Sequence, residues 1–214
     1  MKLGDLKIEA LKLMFAGYGD EIVPETLDRF KGDENYKNYL VSMPGAINRC
    51  FSILENKKVL PLRSVTVIRE DCEEKYGRLH VDLSLIAPDL HAIERVIVDG
   101  WEAGYEGSAE FSLEGPVLVL KIPEAEETEL RLLYRPKLER ISAISNDSMV
   151  LNIPDDIACH IPYYIKADLF REDEPEEASL ARTLFDMAME ELKRNEPAEK
   201  MQRRVENRMG EWLM

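Results

Sequence analysis

Residues 151–192, LNIPDDIACHIPYYIKADLFREDEPEEASLARTLFDMAMEEL, spell two amphipathic helices joined by one acidic turn. Ile157, Ile161, Ile165 and Leu169 recur four apart, as do Leu180, Leu184, Ala188 and Leu192, with Phe185 and Met189 widening the second stripe. This spacing places apolar side chains along helix faces and predicts a hairpin whose two stripes share one core. Asp173, Glu174, Glu176 and Glu177 open the second helix and Lys193 and Arg194 close it, matching the sign of the helix dipole at each end. Pro175 suits a first helical turn. Pro162 predicts a short turn over 155–160 followed by a new helix.

Working back along the chain, a second helical stripe runs through Tyr36, Tyr39, Leu40, Met43, Ile47, Cys50, Phe51 and Leu54. Pro44 lies inside it, which predicts a kink or a break with Pro44 starting the second piece. Leu3, Leu6, Ile8, Leu11, Leu13 and Phe15 predict a first helix that Gly17 and Gly19 stop. A loop is expected from there to about residue 33.

Between the helical stretches the periodicity changes from four to two. Ser64–Arg69, Leu79–Ile86, Ile93–Val98, Glu106–Leu113, Val117–Ile122 and Glu129–Tyr134 read as six strands, separated by turn chemistry such as Asp99-Gly100 and Glu114-Gly115. Val81, Leu83 and Leu85 alternate with His80, Asp82 and Ser84, as on a sheet with one buried face. Short connections favour an antiparallel sandwich or meander. The expected class is α+β: a discontinuous α-helical bundle from residues 1–60 and 150–214, with an antiparallel β-sandwich at 61–149 inserted between its halves. Insertion is preferred over three serial units because neither helical part supplies enough apolar stripe alone.

The chain has 214 residues, is 45% hydrophobic and carries a net charge of −14. Residues 1–60 are balanced, with 9 basic and 9 acidic side chains, so the acidity belongs to the rest. Such a surface lacks the clustered Lys and Arg that neutralise phosphate. An exception is the basic cluster Lys200, Arg203, Arg204 and Arg208 near the C-terminal Trp212 and Leu213. It suits an acidic partner surface or DNA, docking on a neighbouring subunit, the folding of the tail back on its own bundle, or an ordinary solvated helix face. The N-terminal residues lack the uninterrupted apolar core of a signal peptide, and no apolar run approaches membrane-spanning length. Three cysteines without CxxC spacing support neither a disulfide framework nor a zinc ribbon; Cys50 and Cys159 read as small buried hydrophobes.

The hairpin, with its IP, paired acidic residues, IPYY, small-residue helix and acidic turn, resembles the C-terminal helical hairpin of tailed-phage head-to-tail adaptor (connector or neck) proteins. Tyr39-Leu40, Met43-Pro44 and Ile47-Asn48-Arg49 resemble the first long helix of the same family, where it precedes a β insertion. The two stretches cover about a third of the chain. The resemblance implies a non-enzymatic virion protein of the phage neck, made in the bacterial host cytoplasm. It would form a dodecameric ring below the portal protein, contact tail or neck proteins, and pass DNA through its channel without gripping it. It implies no cofactor, no metal and no membrane. The expected contact residues are Tyr163, Tyr164, Trp212 and Leu213, those least explained by one monomer's core, with Arg203, Arg204 and Arg208 beside them; the C-terminal ones suit docking on a neighbouring subunit or the portal.

Other chemistry weighs less. His80, Asp82, Asp89 and His91 could approach a metal, but exposed strand polars need only solvation to explain them. Cys159 and His160 are neighbours in sequence, whereas helix neighbours project about 100° apart. Trp101 and Tyr105 could stack on sugar rings, which keeps a glycan- or protein-binding β-sandwich module on a helical oligomerisation domain as the alternative.

Overall fold

The computed structural model describes residues 1–16, 22–23, 27–103, 110–121 and 129–195. The fold is mixed α+β, with two four-stranded antiparallel sheets. Helix α1 (Leu3–Met14), the single turn α2 (Leu27–Phe30) and the long α3 (Glu34–Lys57) precede the strands. After the strands come the turn α5 (Asp155–Ala158), then α6 (Ile161–Leu169) and α7 (Pro175–Asn195), with the helical turn α4 (Leu83–Ile86) among the strands. As the sequence predicts, Pro162 stands in the first turn of α6 and Pro175 starts α7.

At Pro44, where the sequence predicts a kink or a break, helix α3 shows no break and runs for 24 residues. Proline deletes one donor, but Met43, Pro44, Ala46 and Ile47 are all buried, so packing on both sides of the missing bond holds the helix together. Asp33 caps its start by accepting from the Asn35 amide at 2.9 Å. Its end is closed by Lys58 in the left-handed region, at φ 59°.

One hydrophobic core unites residues from both sides of the strands. It contains Leu6 and Leu11 of α1, Met43, Ile47, Phe51 and Leu54 of α3, Ile161 and Ile165 of α6, and Phe185 and Met189 of α7. Helix α6 packs against α1, α3 and α7 and so occupies the middle of this group. Residues 138–149 were expected with the strands, yet Leu138 and Ile141 join the helical core, beside Leu151 and Ile153. The reason is hydrogen bonding as well as apolar contact. The amides of Leu3 and Gly4, orphans at the start of α1, donate to the carbonyls of Met149 and Asp147 at 2.9 and 2.8 Å. A Cβ at Gly4 would sit 3.1 Å from the Asp147 carbonyl oxygen, which is why this close approach takes glycine.

The strands are β1 (Arg63–Ile68), β2 (Glu73–Lys75), β3 (Arg78–Asp82), β4 (Leu90–Val98), β5 (Trp101–Glu102), β6 (Glu110–Glu114), β7 (Val117–Lys121) and β8 (Glu129–Pro136). They form sheets of order β1-β8-β4-β5 and β2-β3-β7-β6. Val67, Val96, Leu130 and Leu132 of the first sheet meet Leu79, Val81, Leu118 and Leu120 of the second in a separate core. The hairpin turns Tyr76-Gly77 and Asp99-Gly100 have positive φ at both residues, the geometry that a two-residue connection between twisted strands requires.

The strand expected over Leu79–Ile86 stops at Asp82. The Asp82 carboxylate accepts from the amide and hydroxyl of Ser84 and caps the turn α4, so alternation is lost and Leu85 is 79% exposed. Glu106 to Ala109, part of another expected strand, lie outside the described residues.

Candidate functional site

The acidic turn Arg171–Glu177 is exposed throughout. It is positioned by Tyr39 of α3, whose hydroxyl donates to the Asp173 carboxylate at 2.8 Å, and by Lys166, which pairs with Glu177 and donates to the Leu13 carbonyl at 3.1 Å. Phe15, Tyr39 and Phe170 meet edge to face beneath it, with centroids 5.3 to 5.8 Å apart. An acidic rim therefore stands on a stiff aromatic base. The fixed charge suits a basic partner and repels phosphate.

Of the adjacent tyrosines, Tyr163 is half-buried and packs at the margin of the helical core, with the His160 ring 6.5 Å away. Tyr164 does not fit the expectation that one monomer leaves it unexplained. It is only 5% exposed, lies edge-on to Phe185 at 5.2 Å, and has the Arg182 guanidinium 5.0 Å from its ring centre. Successive helix residues point about 100° apart, so a Tyr-Tyr pair places one ring inward and one at the margin. Burial, followed by the nearby Asp168 charge, pushes the Tyr164 phenol up from its ordinary value. Arg203, Arg204, Arg208, Trp212 and Leu213 lie outside the described residues, as do Lys200, Tyr105 and the side chain of Trp101.

The remaining candidate groups are employed separately. His80 lies opposite Glu73 in the β2–β3 register, and Asp82 is occupied with its cap. Asp89 pairs with Arg63 and accepts from the Tyr134 hydroxyl at 3.0 Å. Among the described residues no group of three or more His, Cys, Asp or Glu side chains is arranged to hold a metal. Cys159, expected to be buried, is exposed, and its thiol lies 3.4 Å from the Asp156 carbonyl. Partial burial and then the charges of Asp156 and Asp155 push that thiol up, opposite to the activation a nucleophile needs. Cys50 is buried in the helical core, as expected.

Two features escape a reading by spacing alone. An open cleft of about 380 Å³ lies where strand and helical regions meet, lined by Leu60, Arg63, Pro136, Val150, Asn152 and Pro154. On α7, Leu180 and Leu184 are 63% and 43% exposed, although their spacing predicts burial. Residues four apart advance about 40° per step around a helix. The series 180, 184, 188, 192 therefore starts on the outer face and reaches the core only at its end. The buried line is instead Ala178, Ala181, Phe185 and Met189, with Leu192 packed against it.

No described helix is long and apolar enough to cross a membrane. In comparisons with known proteins, no family model and no curated protein matches the chain.

Proposed function

We propose that this chain is a virion structural protein of a tailed phage or prophage, a head-to-tail adaptor that forms a ring below the portal, extends the DNA channel and docks the tail. Its architecture in this reading is a discontinuous α-helical bundle carrying an inserted antiparallel β-sandwich. The observation that carries it is the single core built by α3 and the α6–α7 hairpin across the intervening strands. Register supports the insertion: Arg63 stands opposite Tyr134, so the chain enters and leaves the β region through neighbouring positions on paired strands. The helices that carry the family resemblance are the ones that share this core.

The role is geometric. A ring around translocating DNA should not hold phosphate, and a net charge of −14 with an exposed acidic turn is compatible with that. Tyr163, at the margin of the core, is the described member of the expected contact set that remains available to a neighbouring subunit. The test is negative-stain imaging and light scattering of the purified protein, alone and with portal protein. Rings with a central channel that join the portal are expected; persistent monomers that ignore it would remove the proposal.

A further inference from the structure

Residues 149–153 form a short extended stretch that is paired along one edge only. The Leu3 amide donates to the Met149 carbonyl and the Leu151 amide to the Met1 carbonyl, at 2.9 and 3.0 Å. Lys2 and Val150 thus stand opposite each other without a mutual hydrogen bond, and the amide and carbonyl of Val150 point away from the N-terminal segment. By the two-residue period of extended chain, those of Asn152 point the same way. Among the described residues neither Val150 nor Asn152 has a backbone partner.

The open cleft of about 380 Å³ runs along this free edge. Side chains alternate here, with Leu151 and Ile153 buried and Val150 and Asn152 exposed, yet all the residues from Val150 to Pro154 line the cleft. A cavity over one face of a strand meets alternate residues; one that meets consecutive residues lies along the edge. The far wall is Leu60, Pro61, Arg63 and Pro136. Its two prolines bring no amide donor, and the Arg63 guanidinium is engaged by Asp89. A smaller hollow of about 190 Å³ continues the cleft past Lys137 and Glu139.

We propose that this cleft takes a single extended peptide segment of a partner protein, which adds as a strand to the free Val150–Asn152 edge. Unpaired amides and carbonyls at strand spacing are satisfied in register by another extended backbone. The wall opposite selects the form of the partner: it admits one strand and shuts out a sheet edge of a second copy, such as β6, which arrives with β7 bonded to it. Leu60, Pro61 and Pro136 favour apolar side chains on the incoming segment. Charge sets its polarity. Asp155 and Asp156, both exposed, follow Pro154 at one end, whereas Lys137 and Glu139 offset each other at the other, so the segment carries Lys or Arg at the Pro154 end. This inference stands whether or not the protein enters a ring.

The test selects a display library of random decapeptides on the immobilised full chain, and the strongest binder is synthesised. The expected peptide is apolar at alternate residues and basic at one end. N-methylation of one alternate set of its amides weakens binding about tenfold, and methylation of the intervening set changes it less than about twofold. Bound peptide slows exchange of the Val150 and Asn152 amides about tenfold by NMR. Asn152→Pro, which removes a donor that has no partner within the chain, keeps the thermal melt and weakens binding about tenfold. If the proline disturbs the fold, the methylated peptides decide the question on the unaltered protein. Failure to select any peptide, equal tolerance of both methylated sets, or unchanged binding to a folded Asn152→Pro protein overturns the proposal. Val150 and Asn152 amides already protected in the free chain also overturn it, since the edge would then be filled from within.

Discussion

Asp147 shows how one side chain can organise a chain terminus. Its carboxylate accepts from Lys7 at 2.7 Å and Lys31 at 2.9 Å, while its carbonyl receives the Gly4 amide. Burial raises the Asp147 pKa, but the hydrogen bonds and charges of the two lysines outweigh it and hold the carboxyl below its ordinary value of 3.8. A group depressed on folding adds stability at neutral pH that is withdrawn as the pH falls through the depressed value. The Asp147 contribution is therefore constant from pH 5 to 8 and fades below about pH 4, in an acid titration of urea midpoints. Asp147→Asn is expected to cost about 2 kcal/mol at pH 7, because Lys7, itself buried, loses its counter-charge, and to flatten that acid limb. Glu55 makes the parallel case at the other end of α3. It is 4% exposed, accepts from the Leu138 amide at 2.8 Å and pairs with Arg140 at 2.7 Å. Glu55→Ala is expected to cost about 3 kcal/mol in urea denaturation, since it orphans a buried amide and removes a charged partner together.

Among the elements, α7 gives the sharpest contrast between neighbours. Phe185 is fully buried between Tyr164 and the rest of the core, whereas Leu184 faces outward. Phe185→Ala should cost about 3–5 kcal/mol in thermal or urea melts, and Leu184→Ala less than about 1 kcal/mol. Equal costs would show that the helix is rotated from the orientation described. The same helix shows what a sequence can and cannot reveal. Its existence and its start were legible, because charge order, Pro175 and apolar recurrence are local signals. Which stripe turns inward was not, because Leu180 and Leu184 resemble core residues until the 40° drift is followed around the helix. The helical turn at Leu83 was hidden in a similar way: an aspartate two residues before a serine caps a helix as readily as it decorates a strand. At Pro44 the local rule allowed a kink or a break, and buried packing on both sides goes with the absence of a break. Tyr163 and Tyr164 were legible as a pair, and only the tertiary fold tells which ring is spent in the core.

For the molecule as a whole, the strands were legible as a block and the helices as two blocks. The boundary near residue 138 was not, because residues 138–149 lack periodicity and owe their place to partners far away in sequence. Asn48 on α3 supplies one of them, its side-chain amide donating to and accepting from the backbone of Ile141 at 2.7 and 2.8 Å. If the β region is inserted, replacing residues 62–136 with a short Gly-Ser linker should leave a helical protein that melts cooperatively by circular dichroism. Loss of cooperativity would mean that the helical core depends on the strands. The shared core also sets an order of events during synthesis. Residues 34–57 are made before the partners at 161–189 that cover their apolar face, a delay of roughly 5–20 s at ribosomal speeds. In that interval α3 is a natural client for a chaperone. The β1–β8 ladder can shorten the hazard, because once it zips it brings residues 63 and 134 side by side and removes most of the intervening chain from the search that α3 and α6 must complete.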